Sequence, residues 1–226
     1  MNFKHMTWRT ARASRTRPLP PGRRCGNVER MDVAIDSGSA GAPALFQTLA
    51  TLEHGLASAV PAPRDRGRVV LLVSRGNGGL RSTPSRVVLT IAGGMPGDAW
   101  GRQRKPSPEA QLAVMQANVA ALIANGQPTT LFGDNVILDL DLSNGNLPPG
   151  SRIRAGGALL EVTALPHNGC RKFRERFGDA ALRFTLKADT RHLNLRGIYM
   201  RVVEDGDIAV GDRAEVVARP AATRSR

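Results

Sequence analysis

The sequence predicts an α+β domain in which several short, mostly antiparallel strands close into a barrel-like sheet, with two or three helices packed against it. Three observations favour this fold class. The hydrophobic fraction of 41% over 226 residues is enough for one core. Short runs rich in β-branched residues recur between turns of Gly, Pro, Ser and Asn. Two or three other segments repeat apolar residues at helical spacing.

The first helix is predicted within residues 43–60, where Leu45, Leu49, Leu52 and Leu56 recur at three- and four-residue intervals. Leucines at that spacing share one helical face. This face is expected to pack against the rest of the domain.

Residues 68–75 and 85–92 are β-branched runs on either side of a Gly/Pro/Ser-rich turn, and both are predicted to be strands. The GGMPGDAWG stretch that follows, residues 93–101, is predicted to be a loop. Within it Asp98 is interpreted as a turn residue that bonds its own backbone, and Trp100 as part of the core or of a pocket wall.

Residues 107–126 are predicted to form the clearest helix. Ser107 is a candidate N-cap, Pro108 suits the first turn, and Gly126 ends the pattern. The apolar stripe of this predicted helix consists of Leu112, Met115, Val119, Leu122 and Ile123.

The second half of the chain predicts further strands and one short helix. Strands are expected around 135–141, 151–155 and 157–164, and a helix from about 170 to 177. The end of the chain predicts a strand, an Asp-Gly hairpin, a second strand, a Gly-Asp turn around Asp212, and a last strand.

The positive charge is concentrated at the two ends of the chain. Residues 1–30 carry eight Lys/Arg and one acid, and residues 219–226 carry three arginines, so of the net charge of +13 only +3 falls on residues 31–218. With aromatics at 4%, nucleic-acid binding by the folded body is disfavoured. The expected segments are a basic, disordered or mis-assigned extension (1–30), a helical segment (31–67), the main domain (68–218) and a basic tail (219–226).

Several function classes are disfavoured by missing signals. No apolar run is long enough to cross a bilayer, and two cysteines do not make a disulfide framework, so a reducing, cytoplasmic setting is expected. Cys25 is given no role. The histidines lack metal-ligand spacing, the Gly-rich stretch at 75–79 lacks the rest of a P-loop, and no nucleophile elbow is present.

Cys170 is the candidate reactive residue. Asn168 is a candidate cap for a helix beginning at Gly169 or Cys170, which would place the sulfur at the positive end of the helix dipole. His167, Arg171 and Lys172 lie close in sequence, and all these features favour the thiolate. The alternative is that Cys170 shares a buried helical face with two phenylalanines and acts as a small hydrophobic residue. The pattern alone does not separate these interpretations.

The ordered set of motifs resembles the MOSC domain, which is found at the C-terminus of molybdenum-cofactor sulfurases, in mitochondrial amidoxime reductases and as stand-alone bacterial proteins. The resemblance covers about residues 68–218. It rests on GGMPGDAWG, the helix predicted at 107–126, FGDNVILDLDL, GGALLEVTAL, HNGCRKFRERFG and RGIYMRVVEDGDIAVGD. The resemblance implies a stand-alone member with a β-rich, barrel-like fold.

The resemblance also implies a site. Cys170 would ligate molybdenum or carry sulfur as a persulfide, with His167 beside it. The implied donors to the anionic molybdenum cofactor (molybdopterin) are Asn135, Asn168, Arg171, Lys172 and Arg196. The sulfurases' desulfurase domain has no counterpart in this sequence, so pyridoxal phosphate is not expected in this chain.

Three functions follow as alternatives. The first is reduction of N-hydroxylated compounds, with electrons from a separate reductase because no flavin or iron–sulfur motif is visible. The second is a non-catalytic sulfur or cofactor carrier that works with a cysteine desulfurase and an apo-enzyme. The third is polyanion binding through the basic ends.

Overall fold

The computed structural model describes the backbone of residues 35–36 and the whole of residues 40–221. Within that part of the chain there are twelve strands: β1 (Ile35–Asp36), β2 (Arg66–Leu72), β3 (Ser74–Arg75), β4 (Leu80–Ser82), β5 (Arg86–Leu89), β6 (Leu112–Gln116), β7 (Val136–Asp139), β8 (Arg152–Ala155), β9 (Ala158–Val162), β10 (Ile198–Glu204), β11 (Gly206–Ala209) and β12 (Arg213–Ala218).

Seven of these strands close into a barrel in the order β10-β6-β7-β2-β12-β8-β9. Every neighbouring pair in it is antiparallel except β6 and β7, which are parallel. Two smaller sheets lie beside the barrel, one of β1, β4 and β3 and one of β11 and β5. The predicted α+β, barrel-like fold class is confirmed.

Three α-helices accompany the barrel: α1 (Leu49–Ser58), α2 (Ala117–Ala124) and α3 (Arg171–Leu186), the last broken at Gly178. Short 3₁₀ segments occur at Pro43–Leu45, Asn77–Gly79, Trp100–Arg102, Pro108–Ala110, Thr129–Phe132 and Ala188–Leu193. None of the helices in the described part of the chain has both the length and the apolar character needed to span a bilayer.

The hydrophobic side chains form two clusters. One fills the barrel with aliphatic side chains from its strands, including Leu72, Val136 and Met200. The other joins the helices to the outside of the barrel, where Phe132 stacks on Phe177 with ring centroids 4.1 Å apart. Burial of this second cluster fixes α3, and therefore the position of the residue at its N-terminus.

The helix predicted at 107–126 is wrong in its first half. A 3₁₀ turn occupies Pro108–Ala110, β6 follows at Leu112–Gln116, and only Ala117–Ala124 is α-helical. The first four residues of β6 are buried, because β6 lies between β10 and β7 in the barrel wall and has cores on both faces. A strand buried on both sides shows no alternation, so its apolar residues also fit a helical stripe.

The Asp-Gly hairpin is also wrong. Asp205 separates β10 from β11 in the chain, but β11 pairs with β5 in a different sheet. The chain therefore changes sheet at this turn instead of folding back on β10. Asp212, by contrast, accepts a hydrogen bond from the Ala209 N–H at 2.8 Å, as expected of a turn residue.

The two ends of the domain differ from the predicted segments. β1 precedes α1, so residues 31–67 are not purely helical, and β2 begins at Arg66. Arg219, predicted in the basic tail, is bound into the fold by Asp65 at 2.7 Å and by the carbonyl of Asn146 at 2.8 Å. The extension 1–30 and residues 222–226 lie outside the described residues.

Candidate functional site

Cys170 is exposed and immediately precedes α3. The helix begins at Arg171, so Cys170 occupies the N-cap position and the predicted cap by Asn168 is wrong. Phe173 and Phe177 are buried in the helix–barrel core, whereas the thiol is not. The interpretation of Cys170 as a core residue is therefore also wrong: Cys170 has extended backbone (φ −128°, ψ 177°), stands just outside the helix and is exposed.

The thiol lies at a cavity of about 410 Å³. His167, Asn168, Lys172 and Arg196 line the same cavity, so with Cys170 the fold brings together five of the residues singled out in the sequence. The lining contains no acidic side chain and five basic ones, which are Arg75, Arg81, Lys172, Arg176 and Arg196. The cavity is therefore strongly electropositive, which favours an anionic ligand.

Arg75 is held in the cavity wall by a buried carboxylate. Asp98 accepts hydrogen bonds from the Arg75 backbone N–H (2.8 Å), Nε (2.9 Å) and Nη2 (2.6 Å), and from the Trp100 N–H (2.9 Å). Burial alone would raise the pKa of Asp98, but the Arg75 guanidinium outweighs it, so this pKa lies below its usual value. Asp98 is therefore an anchor for Arg75 and not merely a turn residue.

Asn135 is used within the protein. Its Nδ2 donates to Asp98 Oδ1 (2.9 Å) and to the Val73 carbonyl (3.2 Å), and its Oδ1 accepts from the Ala113 N–H (3.1 Å) and from Arg75 Nη2 (3.3 Å). The side chain is fully buried and does not line the cavity. It positions Arg75 and Asp98, an arrangement that leaves no amide proton for a ligand.

Arg171 does not line the cavity. Its side chain is 78% exposed and lies 3.5 Å from Glu175, one helical turn later on α3. Lys172, by contrast, lines the cavity. Of the two basic residues that follow Cys170, only Lys172 therefore faces a ligand in the cavity.

Arg81 is a buried guanidinium with no carboxylate partner among the described residues. The residue is 5% exposed, and its Nη1 donates to the Thr130 carbonyl. Burial, followed by the neighbouring guanidinium groups of Arg176 and Arg75, lowers the pKa of Arg81 to about 10. Gly133 has φ of +77°, and a Cβ there would lie 3.1 Å from Arg81 Nη2, so the glycine gives this guanidinium its room.

A second buried group forms the far wall. Arg196 Nη1 contacts both carboxylate oxygens of Asp134, at 2.8 and 3.1 Å, while Arg196 Nε is buried without a hydrogen-bond partner. His167 Nδ1 lies 3.5 Å from Asp134 Oδ1 and also has no partner. Burial, followed by Arg196 and Arg75, lowers the pKa of His167 well below 6.5, so the imidazole is neutral and adds no positive charge beside Cys170.

Tyr199 completes the site. Its ring lies 4.3 Å from the His167 ring, centroid to centroid, and it lines the cavity from β10. Burial raises the pKa of Tyr199, so its hydroxyl remains a proton donor at neutral pH.

The sequence analysis missed Arg75, Arg81, Asp134, Arg176 and Tyr199. Arg75 begins the Gly-rich stretch 75–79, which had been considered only as an incomplete P-loop, and Arg81 follows two residues after this stretch. Asp134 stands next to Asn135 in the GDN motif, and Arg176 lies within the predicted helix. These residues come from four separate segments of the chain, and their convergence is not visible in the sequence. The one local signal that could have been used is the presence of arginines next to a glycine-rich turn.

A metal ion here would have few protein ligands. Within the described residues no three His, Cys, Asp or Glu side chains converge to hold a metal. The cavity instead offers one soft donor, the Cys170 sulfur, beside many cations. This donor set fits a metal that arrives with its own anionic ligand.

Comparison with known proteins identifies the family. A family model of the MOSC domain matches residues 101–215, half of the chain. The chain belongs to the MOSC domain family. The resemblance noted in the sequence is thereby confirmed, and the match contains β6, the Cys170 segment and β10.

The similar solved structures are distant in sequence. The YuaD protein from Bacillus subtilis is 21% identical, with a TM-score of 0.51, covering 69% of this chain and 98% of its own. YiiM from Escherichia coli is 20% identical, with a TM-score of 0.46, covering 68% of this chain and 71% of its own. No curated protein matches the chain. At these identities the similarity to YuaD shows the fold alone.

Proposed function

We propose that this MOSC domain protein binds the molybdenum cofactor in the Cys170 cavity, with the Cys170 sulfur as a metal thiolate ligand or a sulfur carrier. One observation carries the proposal: an exposed thiol lines a cavity whose wall holds the buried guanidinium of Arg81, which has no carboxylate partner in the described part of the chain. A buried, unbalanced cation is costly, and a bound anion offsets that cost.

The residues present fit a bulky anion with a phosphate group. The volume of about 410 Å³ lies within the range of small-molecule sites, roughly 300–1,000 Å³. Arg81, Arg176 and Lys172 would hold the phosphate, since guanidinium groups bind phosphate in a planar, bidentate manner. Arg196 Nε, buried and unpartnered, is a further donor close to the cavity.

The chemistry of the chain's own residues follows from this arrangement. The cofactor, when bound, supplies two-electron redox chemistry at molybdenum. Cys170 is the soft protein ligand that suits such a metal. Tyr199 keeps its proton at neutral pH and would donate a hydrogen bond in the cavity, whereas the low pKa of His167 makes its imidazole a neutral group and a weak base.

Two activities remain candidates for this site. Reduction of N-hydroxylated compounds requires electrons from a separate reductase. A carrier of sulfur or cofactor requires a thiol that a partner protein can reach. The exposed Cys170 meets this requirement, so the site supports the carrier as well as it supports the reductase. Loaded protein that reduces a benzamidoxime with an artificial electron donor supports the reductase, whereas cyanide-releasable sulfur without such turnover supports the carrier.

Binding of the cofactor is tested most simply through Arg81. Protein produced in a host that makes the cofactor is purified, and its bound pterin is measured as the fluorescent oxidised derivative. We expect Arg81→Met to contain at most about one tenth of the pterin bound by wild type, since one charge-assisted phosphate contact is worth roughly 1.5–3 kcal/mol. Arg68→Met, on an exposed arginine of the barrel exterior, should retain it. Equal pterin in both variants, or none in folded wild-type protein, would contradict the proposal.

A further inference from the structure

A second, smaller cavity lies beside the Cys170 cavity. Its volume is about 220 Å³, and its lining comes from the end of β9, the end of α3, the start of β10 and the segments next to them. His167, Asn168 and Arg196 line both cavities, whereas Cys170 lines only the larger one. These three residues therefore belong to a wall that the two cavities share.

Much of the lining of the second cavity is apolar. An apolar cavity of about 150 Å³ is able to hold a benzene molecule, so the volume of about 220 Å³ is sufficient for one aromatic ring with a polar substituent. Leu165 is 41% exposed, so part of this apolar surface is open to a ligand. The apolar residues of the lining include Val162, Leu165, Pro166, Leu186, Leu195 and Ile198.

The polar part of this lining carries positive charge. It contains Arg191 and Arg196, and no Asp or Glu of the described chain lines the cavity. The charge of Arg196 is balanced by Asp134 at 2.8 Å. Arg191 is exposed and belongs to no ion pair in the part of the chain that the structure describes, although the nearby Lys187 is paired with Glu53 at 2.7 Å. Arg191 therefore gives the cavity an unbalanced positive charge, which attracts an anionic group and repels a cation.

The shared wall adds polar groups without adding charge. His167 is neutral, because burial, followed by Arg196 and Arg75, lowers its pKa well below 6.5. The Asn168 side chain makes no hydrogen bond to another described residue, so its amide is available to a ligand. A mainly apolar lining with a few polar groups and one charged residue is typical of sites for small organic molecules.

We propose that the second cavity binds a small organic carboxylate with an apolar body, of which benzoate is a simple example. The carboxylate pairs with the Arg191 guanidinium, whose planar N–H donors suit it, and the apolar body contacts the aliphatic lining. The role of this ligand as a substrate rests on the proposed function: because three residues line both cavities, an acid bound here lies next to the cavity of the thiol. The substrates are then N-hydroxylated organic acids, and cationic amidines are disfavoured.

The test measures the binding of benzoate and of benzamidine to the full chain by isothermal titration calorimetry. The two probes have the same ring and nearly the same shape, but their charges at neutral pH are opposite. The variant is Arg191→Met, and the matched control is Arg183→Met, at an exposed arginine of α3 that lines neither cavity. Because the Cys170 cavity is also basic, Arg81→Met is measured as well, since Arg81 lines only that cavity.

We expect wild-type protein to bind benzoate at least about tenfold more tightly than benzamidine. Arg191→Met should bind benzoate about fivefold more weakly or worse, and both Arg183→Met and Arg81→Met within about twofold of wild type. Absence of benzoate binding, equal binding of the two probes, or a loss in Arg81→Met that is not seen in Arg191→Met overturns the proposal. Bound pterin in each variant, measured in parallel, reports separately on the proposed function.

Discussion

The Asp98 carboxylate provides the sharpest test of how the site is built. It is 2% exposed and accepts five hydrogen bonds, three from Arg75, one from the Trp100 N–H and one from Asn135 Nδ2. In Asp98→Asn one carboxylate oxygen becomes an NH₂ group that faces donors instead of accepting from them. The Arg75 guanidinium also loses its buried counter-charge.

The expected cost follows from these contacts. Breaking a buried ion pair by removing one partner costs about 3–5 kcal/mol. Several of the lost contacts are charge-assisted, worth roughly 1.5–3 kcal/mol each, but they are not additive. We therefore expect Asp98→Asn to lower the free energy of unfolding by about 3–5 kcal/mol at pH 7. Glu204→Gln is the control, since its 2.9 Å pair with Arg154 is 42–55% exposed and should cost about 0–1 kcal/mol.

The pH dependence has a defined sign. The pKa of Asp98 is lower in the folded protein than in the unfolded chain, so its contribution is complete above about pH 4 and is lost as the pH falls below that value. The gap between wild type and Asp98→Asn should therefore narrow below about pH 4. Urea unfolding followed by circular dichroism measures both effects. A loss of less than about 1 kcal/mol at pH 7, or a difference in unfolding free energy that is as large at pH 3 as at pH 7, would refute this reasoning.

Two further predictions concern His167 and Gly197. The pKa of His167 lies well below 6.5 in the folded protein, so as the pH falls the histidine is protonated in the unfolded chain before it is protonated in the fold. The free energy of unfolding of apo wild-type protein should therefore fall by about 1.4 kcal/mol per pH unit below pH 6.5, relative to that of His167→Gln. His54→Gln, at an exposed histidine, is the control. If the free energies of unfolding of wild type and His167→Gln changed with pH in parallel, the burial of a neutral His167 would be contradicted. Gly197 has φ of +97°, and a Cβ there would lie 2.3 Å from the Val114 carbonyl oxygen, whereas at Gly211 (φ +93°) nothing lies within 4 Å. Thermal unfolding should show that Gly197→Ala costs about 1–3 kcal/mol more than Gly211→Ala, and equal costs would show that the close approach relaxes.

The strands that were predicted correctly are those with a local signal. β2, β8 and β9 stand out as short apolar or β-branched runs between turns. The barrel-like sheet was predicted from the number of such short strands in the whole chain. β6 was missed because both of its faces are buried, which removes the alternation that identifies a strand. The pairing of β11 with β5 was missed because it joins segments far apart in the chain, and a turn motif carries no information on which strand lies beside it.

The candidate site shows the same division. Cys170 was found from its immediate neighbours, but whether its side chain is buried depends on how α3 packs, and two interpretations stayed open. Arg81 was missed because its burial without an ion-pair partner among the described residues is a property of the folded protein. Asn135 was predicted to donate to a ligand, whereas its neighbours in space, Asp98 and Arg75, use its amide. Short-range sequence thus singled out Cys170, and tertiary contacts determined which polar groups line its cavity.

The measurement closest to the central claim is the molybdenum content of the purified protein. Wild-type protein from a host that makes the cofactor should contain molybdenum near one atom per chain, and Cys170→Ser should contain almost none while keeping the same circular dichroism spectrum. Folded wild-type protein free of molybdenum, or a serine variant that retains it in full, would contradict the assignment of Cys170 to the metal.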